Sequence, residues 1–252
     1  MFSANLLPIA TGDNDIGVSV EIDAEMTATT VASHYRVVHV NKADNRCRTE
    51  RFIQRRFRSQ YGADIEIYTP NLIAMLDTQQ RLKAALGYQS AANAALFLEQ
   101  YLDQPIEQLL SPYSLGKLHR SQILEVGHLA SISKGCTRRL ILSLAPFFLQ
   151  QGFEWMVITA TPQVLNSFHK LGIGLDLIPL TIADPGRLDQ RASRWGSYYQ
   201  YQPLVVAGRI GRGLQRLNQQ QRLNQQHRLK PQRAVTAPLQ SDSGIAILSK
   251  DN

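Results

Sequence analysis

Residues Gln122 to Leu175 read in order as strand, turn, helix, strand and helix, and this run constrains the fold more than any other part of the chain. It requires a mixed α/β domain. In the first strand, Ile123 to Ala130, alternation puts Glu125 on one pleat face with Ile123, Gly127 and Leu129, and puts His128 on the other. A carboxylate among apolar neighbours calls for a partner or a task. Next, Ser133-Lys134-Gly135 opens a helix expected from Cys136 to Gln151, with Pro146 as a kink. The first N–H groups of such a helix have no intrahelical partner and suit an anionic ligand.

The chain has 252 residues and 44% hydrophobic content, enough to bury a core. Its net charge of +7 suggests nucleic acid at first sight, but residues 209–233 hold Arg209, Arg212, Arg216, Arg222, Arg228, Lys230 and Arg233 without one acid. Those residues equal the whole excess, so a nucleic-acid reading rests on a tail and on charge alone. No run approaches the roughly 20 apolar residues that span a bilayer, and the N-terminal stretch lacks a basic, apolar export pattern. Cys47 and Cys136 make no disulfide framework and do not cluster with His as a metal site would. A reduced cytoplasmic setting and a metal-free chemistry are expected.

The organisation expected is a weakly patterned leader over 1–33, one domain over 34–208 and a basic low-complexity tail over 209–252. The tail carries the near-repeat RLNQQQRLNQQHRL and is read as low-complexity, helical in part and dispensable for the fold. Within the domain, Tyr35 to Val40 reads as a strand, and Thr49 to Phe57 as a helix with Phe52, Ile53 and Phe57 on one face and arginines around the rest. Arg81 to Tyr88 and Ala94 to Leu98 read as a two-stranded meander. Glu99 to Leu110 is partly helical with Pro105 at a first helical position, and Asp176 to Ala183 and Gln202 to Ala207 are late strands.

Six blocks carry a resemblance: YGADIEIYTP (Tyr61 to Pro70), LFLEQYLDQPIEQLL (Leu96 to Leu110), ILEVGHLAS (Ile123 to Ser131), FEWMVITAT (Phe153 to Thr161), NSFHKLGI (Asn166 to Ile173) and WGSYYQYQPLVVAG (Trp195 to Gly208). In them the chain resembles the bacterial thermostable hemolysin family. The order of elements is similar to the GNAT acyltransferase fold, a central mixed twisted sheet flanked by helices, and within it to acyl-homoserine-lactone synthases. That resemblance implies an acyl-transfer cleft framed by Arg56 and Phe57 and by Glu125, with His128 where the synthase pattern has Arg, and Tyr61 is a further candidate for binding substrate. It also implies that Asn166 and Phe168 lie where GNAT enzymes position the thiol leaving group.

Acyl transfer from a thioester to an amine needs a proton acceptor and donors for a developing oxyanion. Glu125 is the candidate base. Gly127 and Leu129 would frame a splayed or bulged strand whose free N–H groups meet the thioester carbonyl. The phosphates of acyl-CoA or the pantetheine of an acyl-carrier protein would lie on the turn Lys134, Gly135, Cys136 and Thr137, assisted by Arg138. Trp195, Tyr198 and Tyr199 would wall a pocket for the acyl chain or the small amine, and the basic helix around Arg51 to Arg58 would meet an acidic carrier protein. The family name implies a second reading, direct lysis of membranes, with the basic tail and the aromatic loop contacting lipid.

Overall fold

The computed structural model describes residues 35–229, so the leader expected over 1–33 and the last part of the tail lie outside the described residues. Seven strands form one sheet: β1 (Arg36–His39), β2 (Asn71–Leu76), β3 (Leu82–Ser90), β4 (Ile123–Ser131), β5 (Trp155–Ala160), β6 (Ile178–Ile182) and β7 (Leu204–Arg209). Their spatial order is β1-β2-β3-β4-β5-β7-β6. Every pairing is antiparallel except β4 with β5. Among the described residues five α-helices accompany them: α1 (Ala43–Tyr61), α2 (Ile106–Leu110), α3 (Lys134–Gln150), α4 (Pro162–Lys170) and α5 (Ile210–Leu229). This is the mixed sheet with flanking helices expected of a GNAT-like fold.

The helical spacing read at Thr49 to Phe57 belongs to a longer α1, whose Phe52, Ile53, Phe57 and Tyr61 pack with Leu72, Ala74, Ala85 and Ala130 on one sheet face. The opposite face is covered by α3, through Leu140, Leu144 and Phe148, and by Phe168 of α4 and Ile210 and Leu217 of α5. Beside α1, a third cluster joins Ile123, Trp155 and Val157 to Leu96, Leu98, Ile106 and Leu110. The core therefore has two layers about the sheet, and the α1 side is divided between a helix and irregular segments.

Three expectations are corrected. Residues 94–98 form no strand; they lead into a 3-10 turn, Phe97–Tyr101, because the N–H groups of Leu96, Phe97 and Leu98 are taken by carboxylates rather than by a ladder. The meander instead joins β3 to β2, a buried apolar run over 71–76 without the alternation that marks a half-exposed strand. Pro105 is the cap before α2, not its first residue. The basic tail is also more than an appendage. It continues from β7 into α5, where Ile210 and Leu217 are buried and Arg216 pairs with Asp176 at 2.5 Å.

Candidate active site

Along β4 and β5 the parallel register runs from Ile123 opposite Trp155 to Val126 opposite Ile158 and then stops. Beyond that point β4 stays paired with β3 to Ser131, while β5 stays paired with β7 to Ala160. The two strands thus part, and backbone groups of Gly127 and its successors facing β5 have no ladder partner there. This is the opening at Gly127 expected from the sequence. It is accompanied by a bulge, since the β3 register skips between Ala85 and Gly87 and His128 has a φ of 53°.

The bulge corrects the expected facing of β4. Glu125 and Gly127 oppose Gln89 and Gly87, and Ala130 opposes Ala85, so all three face α1. His128 takes the intervening place on that same face, with its ring 5.3 Å from that of Tyr68. Leu129 is turned to the other side, where it packs with the α3 core. His128, not Leu129, therefore shares a face with Glu125. Gly87 makes room for this packing: a Cβ there would lie 1.9 Å from Thr69 Oγ1 and 3.2 Å from His128 Nδ1.

A cavity of about 450 Å³ lies over the parting strands, lined on one side by Glu125, Gly127, His128 and Thr159 and on the other by aromatic side chains. Phe57 and Tyr61 of α1 meet Trp195 and Tyr198 there, the Tyr61 and Tyr198 rings standing edge to face at 5.1 Å. Gly196 permits this approach. Its φ is 54°, a Cβ would fall 2.1 Å from the Tyr61 carbonyl oxygen, and the next N–H, of Ser197, donates to that oxygen at 2.8 Å. Tyr198 donates to the Thr159 carbonyl at 3.1 Å, tying the aromatic wall to the parted edge of β5. Tyr101 and Tyr199 share a hydrogen bond of 2.5 Å, and burial pushes the Tyr101 hydroxyl up to about 12. The phenols are neutral donors at physiological pH.

Glu125 is 4% exposed. Its Oε2 accepts from Gln89 Nε2 at 2.9 Å and from the Phe97 N–H at 2.8 Å, and its Oε1 accepts from the Leu98 N–H at 3.0 Å. Burial raises its pKa above the usual carboxylate value, against the lowering effect of those three donors. One lone-pair position on Oε1 has no protein donor. Behind it, Arg120 grips Glu99 at 2.7 and 2.8 Å and Glu107 at 2.5 Å, while Glu99 accepts from the Leu96 and Ile106 N–H groups. This ionic cluster fixes the turn that supplies Phe97 and Leu98. His128 is neutral, its pKa pushed down to about 4 by burial, and its Nδ1 and the Thr159 hydroxyl are buried without a protein partner.

Of the residues singled out in the sequence, Glu125, Gly127, Leu129, Phe57, Tyr61, Trp195 and Tyr198 line this cavity. Arg56 lies on α1 with a buried, unpartnered Nε and is not part of the lining. Lys134, Gly135, Cys136, Thr137 and Arg138 form the start of α3 at the carboxyl end of β4, where Ser133 Oγ accepts from the Cys136 N–H at 3.3 Å. Cys136 and Thr137 are buried there, and Lys134 is exposed. Asn166 is exposed on α4, which follows β5, and Phe168 is a core residue on the far side of the sheet. Sequence reasoning did not find Phe97, Tyr101, Thr159 or the Gln89 contact. The signal available for the last was the need of a buried carboxylate for donors.

A model of the thermostable hemolysin family matches residues 39–214. The chain belongs to the thermostable hemolysin family. The match takes in β2 to β7, the parted strands and the first turn of α5, so the site described above is family territory. Among solved structures, this family member is similar to the AHL synthase LasI, at 15% identity over 71% of this chain and 91% of that one, with a TM-score of 0.46. FeeM, an N-acyl amino acid synthase from uncultured soil microbes, is 12% identical over 72% and 93% of the two chains, with a TM-score of 0.47. The GNAT family N-acetyltransferase YhbS from Escherichia coli, in complex with CoA, is 12% identical over 75% and 88%, with a TM-score of 0.40. No curated protein matches the sequence.

Proposed function

We propose that this family member is an N-acyltransferase that moves an acyl chain from acyl-CoA or an acyl-carrier protein to the amine of an amino acid or similar small molecule. The observation that carries the reading is a buried carboxylate, with a raised pKa and one free acceptor position, beside unpaired strand backbone in an aromatic cavity. The amine nitrogen attacks the thioester carbonyl, a C–N bond forms and the C–S bond breaks. Glu125 takes the proton the amine loses, directly or through water, and the thiolate leaves to be protonated. Backbone N–H groups beyond Val126 receive the developing oxyanion.

The donor lies along the carboxyl ends of the parallel pair, the position ligands favour in open α/β sheets. There the start of α3, with Lys134 to Arg138, takes phosphate, and Asn166 at α4 meets the pantetheine arm. Phe57, Tyr61, Trp195 and Tyr198 enclose the acceptor, with Arg56 behind them. An acidic carrier protein would approach the arginines of α1, of which Arg51, Arg55 and Arg58 are exposed.

The family's name keeps direct membrane lysis as a second reading, and no helix among the described residues is long and apolar enough to cross a membrane. Thiol release from a set of acyl thioesters, measured with a panel of amines, tests the first reading. Red-cell lysis by protein alone, beside lysis by the spent reaction mixture, tests the second. Acyl transfer is expected to release thiol only when a suitable amine is present, with any lysis following the mixture. Lysis by protein alone, without thiol release from any donor, would replace the first reading with the second.

A further inference from the structure

We infer that α5 forms the floor of an acyl-chain chamber on the far side of the sheet and sets the length of chain the protein accepts; this rests on the acyl-transfer reading above. A second cavity, of about 70 Å³, lies between the sheet, α3 and α5. Val126, Leu129 and Ile158 line it and also line the larger cavity. Val126 and Ile158 are the last registered pair of β4 and β5 and Leu129 lies past it, so beyond that pair side chains rather than a ladder separate the two spaces. The inversion at His128 is what delivers Leu129 to this threshold.

The far wall is made by α5 with Gly213, Leu214 and Leu217. Leu217 is buried, and the pair of Arg216 with Asp176 holds the helix in place. A chamber walled almost wholly by hydrocarbon stays dry, so an alkyl chain can fill it without displacing bound water. At Gly213 a Cβ would touch only Ile173 Cγ2, at 3.9 Å, which leaves space that a side chain on α5 would take from the ligand. A saturated acyl chain, attached to its thioester at the cavity above, fits this sequence of spaces.

The test uses the full chain and S-alkyl pantetheine thioethers from butyl to tetradecyl, which carry the arm common to CoA and carrier protein. Calorimetric affinity of the wild type should rise about fourfold for each methylene and then level off where the floor is reached. Gly213→Leu should move that limit to shorter chains while leaving the shortest unaffected, and Leu217→Ala should move it to longer ones. Should Gly213→Leu fail to fold, Gly213→Ala carries the same sign with a smaller step. Variants that weaken all lengths alike, a limit that neither moves, or no binding of any thioether would overturn the inference. Thiol release with an unmoved length profile overturns the chamber and leaves acyl transfer standing. A limit that moves as expected, without thiol release from any donor, does the reverse.

Discussion

One extra residue in β4 decides which side chains meet at the cavity. Strict alternation describes the strand as far as Gly127, and the bulge with φ 53° at His128 then brings imidazole, not Leu129, beside Glu125. The folded protein keeps His128 neutral, with a pKa of about 4 against 6.5 for the free side chain. Between those values the unfolded chain binds a proton that the folded one refuses, so this contribution to stability is complete above 6.5 and declines as pH falls toward 4. His128→Asn, which tolerates a left-handed backbone, should flatten that part of the stability curve in denaturant titrations at several pH values. An unchanged slope would mean that another group titrates there. At Gly87, an added methyl meets Thr69 Oγ1, and Gly87→Ala should cost about 1–3 kcal/mol by the same measurement. Glu125 was legible as an unusual carboxylate, whereas its donors were not: Gln89, Phe97 and Leu98 are distant in sequence and joined to it only by the sheet register. Because each oxygen of Glu125 receives a backbone N–H, Glu125→Gln must set its amide NH₂ against one of them. That variant should lose nearly all thiol release, and about 1–3 kcal/mol of stability as well. Full activity in a destabilised Glu125→Gln protein would assign the carboxylate to structure alone.

At the scale of elements, the periodic segments were readable and the irregular ones were not. The spacing of Phe52, Ile53 and Phe57 announced α1, and the order of elements from β4 to α4 was read correctly, with β4 and α3 nearly to their bounds. Residues 94–98 look like a strand by composition and are instead a turn, because Glu99 and Glu125 supply acceptors from outside any ladder. Their order depends on Arg120, and its removal would leave two partly buried carboxylates without their cation. Arg120→Leu should destabilise the protein by about 2 kcal/mol or more and lower activity through Glu125, measurable by denaturation beside thiol release. The glutamine-rich repeat was legible only as partly helical, since sparse leucines give little periodic signal, and the docking of α5 through Ile210 and Leu217 was not. Truncation after residue 209 removes Ile210 and Leu217 from the core and should cost on the order of 3 kcal/mol or more.

For the molecule as a whole, the basic excess is partly structural. Arg209 stacks over the Trp155 ring at 4.9 Å and Arg216 pairs with Asp176, so two of the tail's cations serve the sheet and α5 rather than a distant partner. The family, the mixed sheet and the parted parallel strands converge on one cavity in which a carboxylate, neutral phenols and unpaired backbone face the same space. The most direct measurement is the mass of the product formed when full-length protein meets a labelled acyl thioester and an unlabelled amine panel. The account predicts an N-acyl amine carrying the label, together with an equal amount of free thiol. Recovery of every amine unmodified and every thioester intact, whether CoA or carrier protein is the donor, would contradict it.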